Sequence, residues 1–253
     1  MRVVFCGVGE AFDENLTNTC ILVQENNDGS GRSILLDCGF TAAPSFWRVA
    51  REPLELDAVW ISHLHGDHFL GLPQLFIRYS EHGRTRPLNI YGGPGTAEAI
   101  SSSVELAYPG KWSRLGFRIE FVEVESGDGF ELTWLRGLAA PVDHPVSSRG
   151  VKLEAESGSL FYSGDGRVEP DIKNFLEGCD LGIFEAFCLE KEVYGHSNAA
   201  QVGEISLLAG IRRVALVHMH REERQKNGEK AVSLLRKQGI DAILPAPGDS
   251  LIV

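Results

Sequence analysis

The 253-residue chain contains no apolar run approaching the roughly 18 residues that a membrane-spanning helix needs. Its opening stretch, Met1 to Gly7, is too short for the apolar part of an export signal, and Asp13 and Glu14 follow where such a signal stays uncharged. A soluble, cytoplasmic protein with no membrane partner is therefore expected. Cysteine is scarce and unpaired. Cys6, Cys20, Cys38, Cys179 and Cys188 form an odd set without a CxxC, which argues against both a disulfide framework and a cysteine-based zinc site. Buried free thiols are the expectation. Basic residues are short as well. Lys and Arg number 24 against 35 Asp and Glu, and the formal charge of −11 disfavours non-specific nucleic-acid binding by the surface as a whole. Two divalent ions would locally add about four positive charges to one cleft, which that balance leaves out.

Repeats, low-complexity segments and linkers are also lacking, so one domain spanning residues 1–253 is expected. Apolar residues make up 43% of the chain, enough to build a sizeable core. They fall in short β-branched or aromatic runs between glycine-rich turns. Strands are predicted at Arg2–Cys6, Thr19–Gln24, Ser33–Asp37, Ala58–Ser62, Leu88–Tyr91, Phe117–Val124, Gly129–Leu135, Ala139–Val142, Val151–Ala155, Ser159–Ser163, Leu181–Glu185, Val214–His218 and Ser250–Val253. Helices are predicted at His68–Ser80, Thr96–Ala107, Asp171–Leu176, Ala199–Gly210 and Gly228–Gln238, with Asn198 capping the fourth and Gly210 ending it. Hairpin turns are read at Asn26–Gly29 and Ser126–Gly129. Two strand-rich blocks each finish in strand-to-helix units, which suits packed sheets with helices on their outer faces.

Chemically capable residues sit where strands stop. Asp37, His63, His144, Asp165, Glu185 and His218 each follow or end an apolar run, so their polar tips would share one rim. The densest group is His63-Leu64-His65-Gly66-Asp67-His68, which holds three of the eight histidines. His63 and His65 could hold one metal, while Asp67 and His68, past the turn that Gly66 permits, face a second. Imidazole and carboxylate ligands suit zinc, with manganese and iron as alternatives.

This HxHxDH segment after an apolar strand resembles the signature of the metallo-β-lactamase fold, and the resemblance spans Met1 to Val253. It implies an α/β protein with a four-layer αβ/βα sandwich. The later motifs are similar to the ribonuclease Z-like branch of phosphodiesterases. Asp143-His144-Pro145-Val146-Ser147-Ser148-Arg149-Gly150 resembles its H-x-x-x-S-x-G setting, and Tyr162-Ser163-Gly164-Asp165 its S-G-D segment. Phe184-Glu185-Ala186 and Gly195-His196-Ser197-Asn198 resemble its Glu and His-Ser-Thr pair, with Asn198 in place of threonine, and Val217-His218 its last ligand.

Carried over by that resemblance, His63, His65 and His144 would hold one metal. Asp67, His68 and His218 would hold the other, with Asp165 bridging the two. His196 would stabilise the developing charge and protonate the leaving oxygen. Glu185 would raise its pKa and fix its tautomer, and Asp67 would also orient the attacking water. Similar proteins are often homodimers, which makes a homodimer the expectation. The substrate implied is a phosphodiester, with RNA among the candidates. Members that process transfer RNA carry a long basic arm between the equivalents of His144 and Asp165. Here only twenty residues separate the two, and Val151–Ser163 reads as a hairpin, so small or cyclic phosphodiesters fit at least as well. Hydrolysis of a carbon ester, thioester or lactone on the same metals is the alternative. Diiron redox relatives replace an early histidine with a carboxylate and append a flavin domain, and neither feature is found. Three further residues and one segment carry readings of their own. Asp37 is either a carboxylate supporting the histidine loop or a strand cap. His220 is a substrate contact or a bystander, His82 has no role, and Arg221–Lys230 is a solvated loop rather than a phosphate clamp.

Overall fold

The computed structural model describes residues 1–29 and 31–253. In chain order, β1 (Arg2–Gly7), β2 (Cys20–Gln24), β3 (Ser33–Leu36), β4 (Ala58–Ile61), β5 (Leu88–Gly92) and β6 (Ile119–Glu123) precede β7 (Gly129–Leu132), β8 (Leu135–Pro141), β9 (Arg149–Ala155) and β10 (Gly158–Tyr162). Then follow β11 (Leu181–Glu185), β12 (Arg213–Val217), β13 (Asp241–Ile243) and β14 (Ser250–Ile252). They form two seven-stranded sheets, ordered β14-β1-β2-β3-β4-β5-β6 and β13-β12-β11-β10-β9-β8-β7. Each sheet begins antiparallel and turns parallel, at the β3–β4 pair in the first and the β10–β11 pair in the second. Parallel neighbours need crossovers, which helices supply. These are α1 (Ala42–Val49), α2 (Gly66–Phe69), α3 (Leu72–Glu81) and α4 (Thr96–Ala107) on the first sheet, and α5 (Lys173–Leu176), α6 (Ala199–Ala209) and α7 (Arg221–Lys237) on the second.

Strand alternation sorts the core into three slabs. In β1, Val3 and Phe5 point between the sheets, where they meet Trp60, Leu153, Leu160 and Ile183. Val4 and Cys6 point the other way, into the slab beneath Phe46, Leu72 and Phe76. The outer face of the second sheet packs Phe161, Phe184 and Leu216 against Val202, Ile205 and Leu235. The order helix, sheet, sheet, helix is the expected αβ/βα sandwich. Burying each such side chain contributes about 1.5–3 kcal/mol, and together they hold both sheets rigid behind the strand ends.

The structure corrects several local expectations. The helix read at His68–Ser80 is two helices, α2 and α3, because Gly71 packs against the loop after β3 and Pro73 suits a fresh first turn. The Ser126–Gly129 turn does not close a hairpin. It passes the chain from β6, on the edge of the first sheet, to β7, on the edge of the second. Arg221–Lys230 is not a loop but the first part of α7, whose acidic first turn (Glu222, Glu223) and basic last turn (Arg236, Lys237) follow the helix dipole. Helix α1 and strand β13 were not foreseen. The β9–β10 hairpin, the Asn26–Gly29 turn and the Asn198 cap are found as expected. Asn198 accepts from Gln201 N at 2.9 Å, and Gly210 ends α6 at φ 76°.

Candidate metal centre

The histidine loop begins where the apolar residues of β4 run out. Ser62 and His63 leave the sheet, His65 precedes the first turn of α2, and His68 N donates to the His65 carbonyl at 3.0 Å. Asp37 holds this loop from behind. It is fully buried and left-handed at φ 60°, a conformation that Asp tolerates better than most residues. Its Oδ1 accepts from Ser62 N at 2.8 Å, and its Oδ2 accepts from Ser62 Oγ at 2.7 Å, His68 Nδ1 at 2.7 Å and Tyr162 OH at 2.6 Å. A buried carboxylate so surrounded has its desolvation offset. With the proton of His68 on Nδ1, its Nε2 is left facing the centre. The backbones of the two loops touch. A Cβ on Gly39 would sit 1.9 Å from the Asp67 carbonyl oxygen, so only glycine fits there.

Three distant segments complete the cluster. His144 follows β8, and its Nδ1 donates to the Gly195 carbonyl at 2.7 Å, which leaves Nε2 free 3.3 Å from His65 Nδ1. Asp165 follows β10. His218 follows β12 at φ 52°, and its amide donates to the Val8 carbonyl at 3.0 Å. One group able to hold a cation is His63, His65 and His144; a second is Asp67, His68, Asp165 and His218. Within each group the donor atoms lie within 4.8 Å of one another. Asp165 Oδ2 is 3.2 Å from His68 Nε2 and 3.1 Å from His218 Nε2, and Asp67 Oδ2 is 3.3 and 3.2 Å from the same two atoms.

These residues fit divalent cations on their own chemistry. His63 Nε2, His68 Nε2, His218 Nδ1 and Asp165 Oδ1 are buried without a hydrogen-bond partner, and an unsatisfied buried polar atom is costly. Their titration agrees. Burial, reinforced by the neighbouring His68, keeps His63 well below the usual imidazole range. Burial also opposes charge on His68 and His218, but Asp165 with Asp37 outweighs it for the first, and Asp165 with Asp67 for the second. His218 is thereby raised to about 8. The same imidazoles hold Asp67 and Asp165 far below the carboxylate range despite their burial. Protons thus stand in for positive charge that the carboxylates demand.

A third group, Asp165, Glu185, His196 and His218, adjoins the second. Glu185 ends β11 and is fully buried. Its Oε1 accepts from the backbone amides of Gly166 at 2.7 Å and Ser197 at 3.1 Å, while Oε2 accepts from His196 Nδ1 at 2.8 Å. Phe187 stacks on the His196 ring at 4.5 Å. Partial burial works against charge on His196, but the Glu185 hydrogen bond prevails and its pKa is raised. Phe187 and His196 line a cavity of about 580 Å³ together with His65, Asp67, Asp165 and His218.

The sequence reading named all seven clustered side chains, together with Glu185, His196 and Asp37, and the fold brings them together. It missed Tyr162 and Ser62, which brace Asp37. It also missed Phe12, Phe40 and Arg221 in the cavity wall. A lone Phe12 between Glu10 and Asp13 was the available signal for that wall. His220 precedes α7, lines the cavity and lies 5.4 Å from Phe187. His82 is exposed against Trp47, remote from the site.

Comparison with known proteins places this geometry in a family. Residues 32–219 match the beta-lactamase superfamily domain. Ribonuclease BN of Escherichia coli is 32% identical over 155 residues, which is 61% of this chain and 50% of that protein. The match thus spans about half the length of that relative. The metallo-beta-lactamase fold protein YhfI from Bacillus subtilis superposes with a TM-score of 0.81 at 21% identity, over 99% of this chain and 98% of that one. The short form of human tRNase Z gives 0.78 at 21% identity over the same shares. The chain belongs to the beta-lactamase superfamily and has the metallo-β-lactamase fold.

Proposed function

We propose that the protein is a metal-dependent hydrolase of phosphodiesters, working through two divalent ions, most simply zinc. His63, His65 and His144 would hold one ion, and Asp67, His68 and His218 the other, with Asp165 shared. The observation that carries this reading is the pairing of two adjacent candidate ligand groups, whose His63 and His68 rings lie 4.2 Å apart, with a carboxylate-backed histidine at their edge. Divalent ions so held would supply Lewis acidity and a reactive water at neutral pH.

The chain's own residues do the rest. Asp67 opens onto the cavity and orients the attacking water through its carboxylate. Glu185, fixed by two backbone amides, keeps the proton of His196 on Nδ1 and favours the charged ring. With Nδ1 so engaged, His196 Nε2 is free to donate to a phosphoryl or leaving oxygen. Phe187 and the Glu185 bond fix the plane of that ring, so little reorganisation is needed on reaction. The likeness to ribonuclease BN and tRNase Z supports phosphorus rather than carbon as the centre attacked.

The test is turnover of bis(p-nitrophenyl) phosphate by folded protein supplied with zinc, manganese or cobalt. Release of p-nitrophenolate that a chelator abolishes is expected. Complete inactivity with all three metals would contradict the assignment, and turnover of carbon esters alone would move it to the alternative chemistry.

A further inference from the structure

We propose that Phe12, Phe40 and Arg221 form a nucleobase-binding subsite beside the metal centre, so that the substrate is a small nucleotide phosphodiester. The inference rests on the phosphodiesterase reading above and adds the part of the substrate that does not react. Phe12 and Phe40 line the cavity and are 76% and 45% exposed, unusual for large apolar rings. They are not loose. Buried Glu10 accepts from Phe12 N at 2.8 Å through Oε2 and from Arg221 Nη1 at 2.6 Å through Oε1. The Glu10 carbonyl in turn accepts from Asn18 Nδ2 at 3.2 Å. Buried Asn18 then reaches the Phe40 loop, where its Oδ1 accepts from Thr41 N at 2.9 Å and Thr41 Oγ1 at 2.7 Å. One polar network centred on buried Glu10 and Asn18 thus ties the backbone segments that carry two aromatic rings, and a guanidinium, to the same mouth. Such preorganisation limits the entropy lost on binding.

The chemistry of the wall selects among occupants. Flat rings stack on bases whatever their sequence, and a guanidinium can meet the acceptor edge of a base or stack on its face. An acyl chain would use the rings but gain nothing from Arg221. A long polyanion is disfavoured on this side. Arg221 is already paired with Glu10 and lies 4.0 Å from Glu14, and Glu222 and Glu223 follow it on α7. Recognition here is by the base, with the phosphate left to the metal centre.

Calorimetric binding of adenosine 5′-monophosphate and ribose 5-phosphate to zinc-supplied protein tests the subsite. The nucleotide is expected to bind about tenfold tighter or more. Phe12→Ala is expected to remove that advantage and leave ribose 5-phosphate unchanged, and Phe12→Tyr to keep it. Equal affinities in the wild type, or an advantage that survives Phe12→Ala, would overturn the proposal. An equal loss for both ligands would do so too. Turnover of bis(p-nitrophenyl) phosphate, measured on the same preparation, separates the two readings. If turnover is absent while the base preference depends on Phe12, the subsite stands and the phosphodiesterase assignment fails.

Discussion

Tyr162, at the end of β10, donates its hydroxyl to Asp37 Oδ2 at 2.6 Å across the gap between the two sheets. The bond joins residues 125 positions apart. It links the sheet that carries the histidine loop to the strand that leads into Asp165. Alignment of the two halves of the candidate metal centre is thus written partly into a buried polar contact rather than into the clustered side chains alone.

That relationship gives the first prediction. Asp37→Ala removes the acceptor for His68 Nδ1, Ser62 and Tyr162 together, and loss of such a support lowers metal affinity about 10–100-fold. Tyr162→Phe leaves Asp37 with its other donors and is expected to cost less. Competition for zinc with a chromophoric chelator reads both. Unchanged affinity in Asp37→Ala would show that the loop holds its shape without the carboxylate.

His196→Ala should lower kcat for a phosphodiester by about 10²-fold or more if the ring acts as proton donor. Its zinc content should stay that of the wild type. Glu185→Gln removes the charge, and its single amide oxygen cannot accept from both the two backbone amides and His196 Nδ1, so its rate should fall between those of the wild type and His196→Ala. A wild-type rate in His196→Ala would favour carbon-ester hydrolysis.

Metal uptake should release protons. In the metal-free site His218 has a pKa of about 8 and His68 lies well above the usual range, so both carry a proton at pH 7 that the cation must displace. Affinity is therefore expected to fall as the pH drops below about 8. Calorimetry in buffers of different ionisation enthalpy counts the protons. A count of zero at pH 7 would refute the electrostatic picture.

Alkaline solution should weaken the fold. Burial raises Cys179 from its ordinary 9.0 to about 12, and the buried Cys20 shifts in the same direction. A raised folded-state value means that the unfolded chain loses its proton first. The contribution is complete below pH 9 and disappears as the pH climbs towards 12. Urea unfolding between pH 7 and pH 10.5 should show falling midpoints. An aromatic disulfide reagent should reach the five thiols only once the chain unfolds, since all are buried.

How much could be read from the sequence depends on how local each cause is. The His63–His68 loop was legible because four ligand-type residues fall within six positions after an apolar strand. His144, Asp165 and His218 were legible as strand ends, with a family resemblance to join them. The α2–α3 break was not, because it depends on how Gly71 meets the loop after β3. Nor was the passage at Ser126–Gly129. A turn sequence specifies a reversal, while the sheet edge that receives the next strand is a matter of topology. Arg221 read as loop because α7 opens with seven charged or polar residues and its apolar face begins only at Gly228 and Ala231. Tyr162 and the Phe12–Phe40 wall were hidden for a similar reason: their partners lie far away in the chain.

The most direct test of the central claim is the metal-to-protein ratio, measured by inductively coupled plasma mass spectrometry on protein supplied with excess zinc and then desalted. Two zinc ions per chain are expected, falling to one or none in Asp165→Ala. A folded wild-type protein that retains no zinc, or an Asp165→Ala variant that retains the full complement, would contradict it.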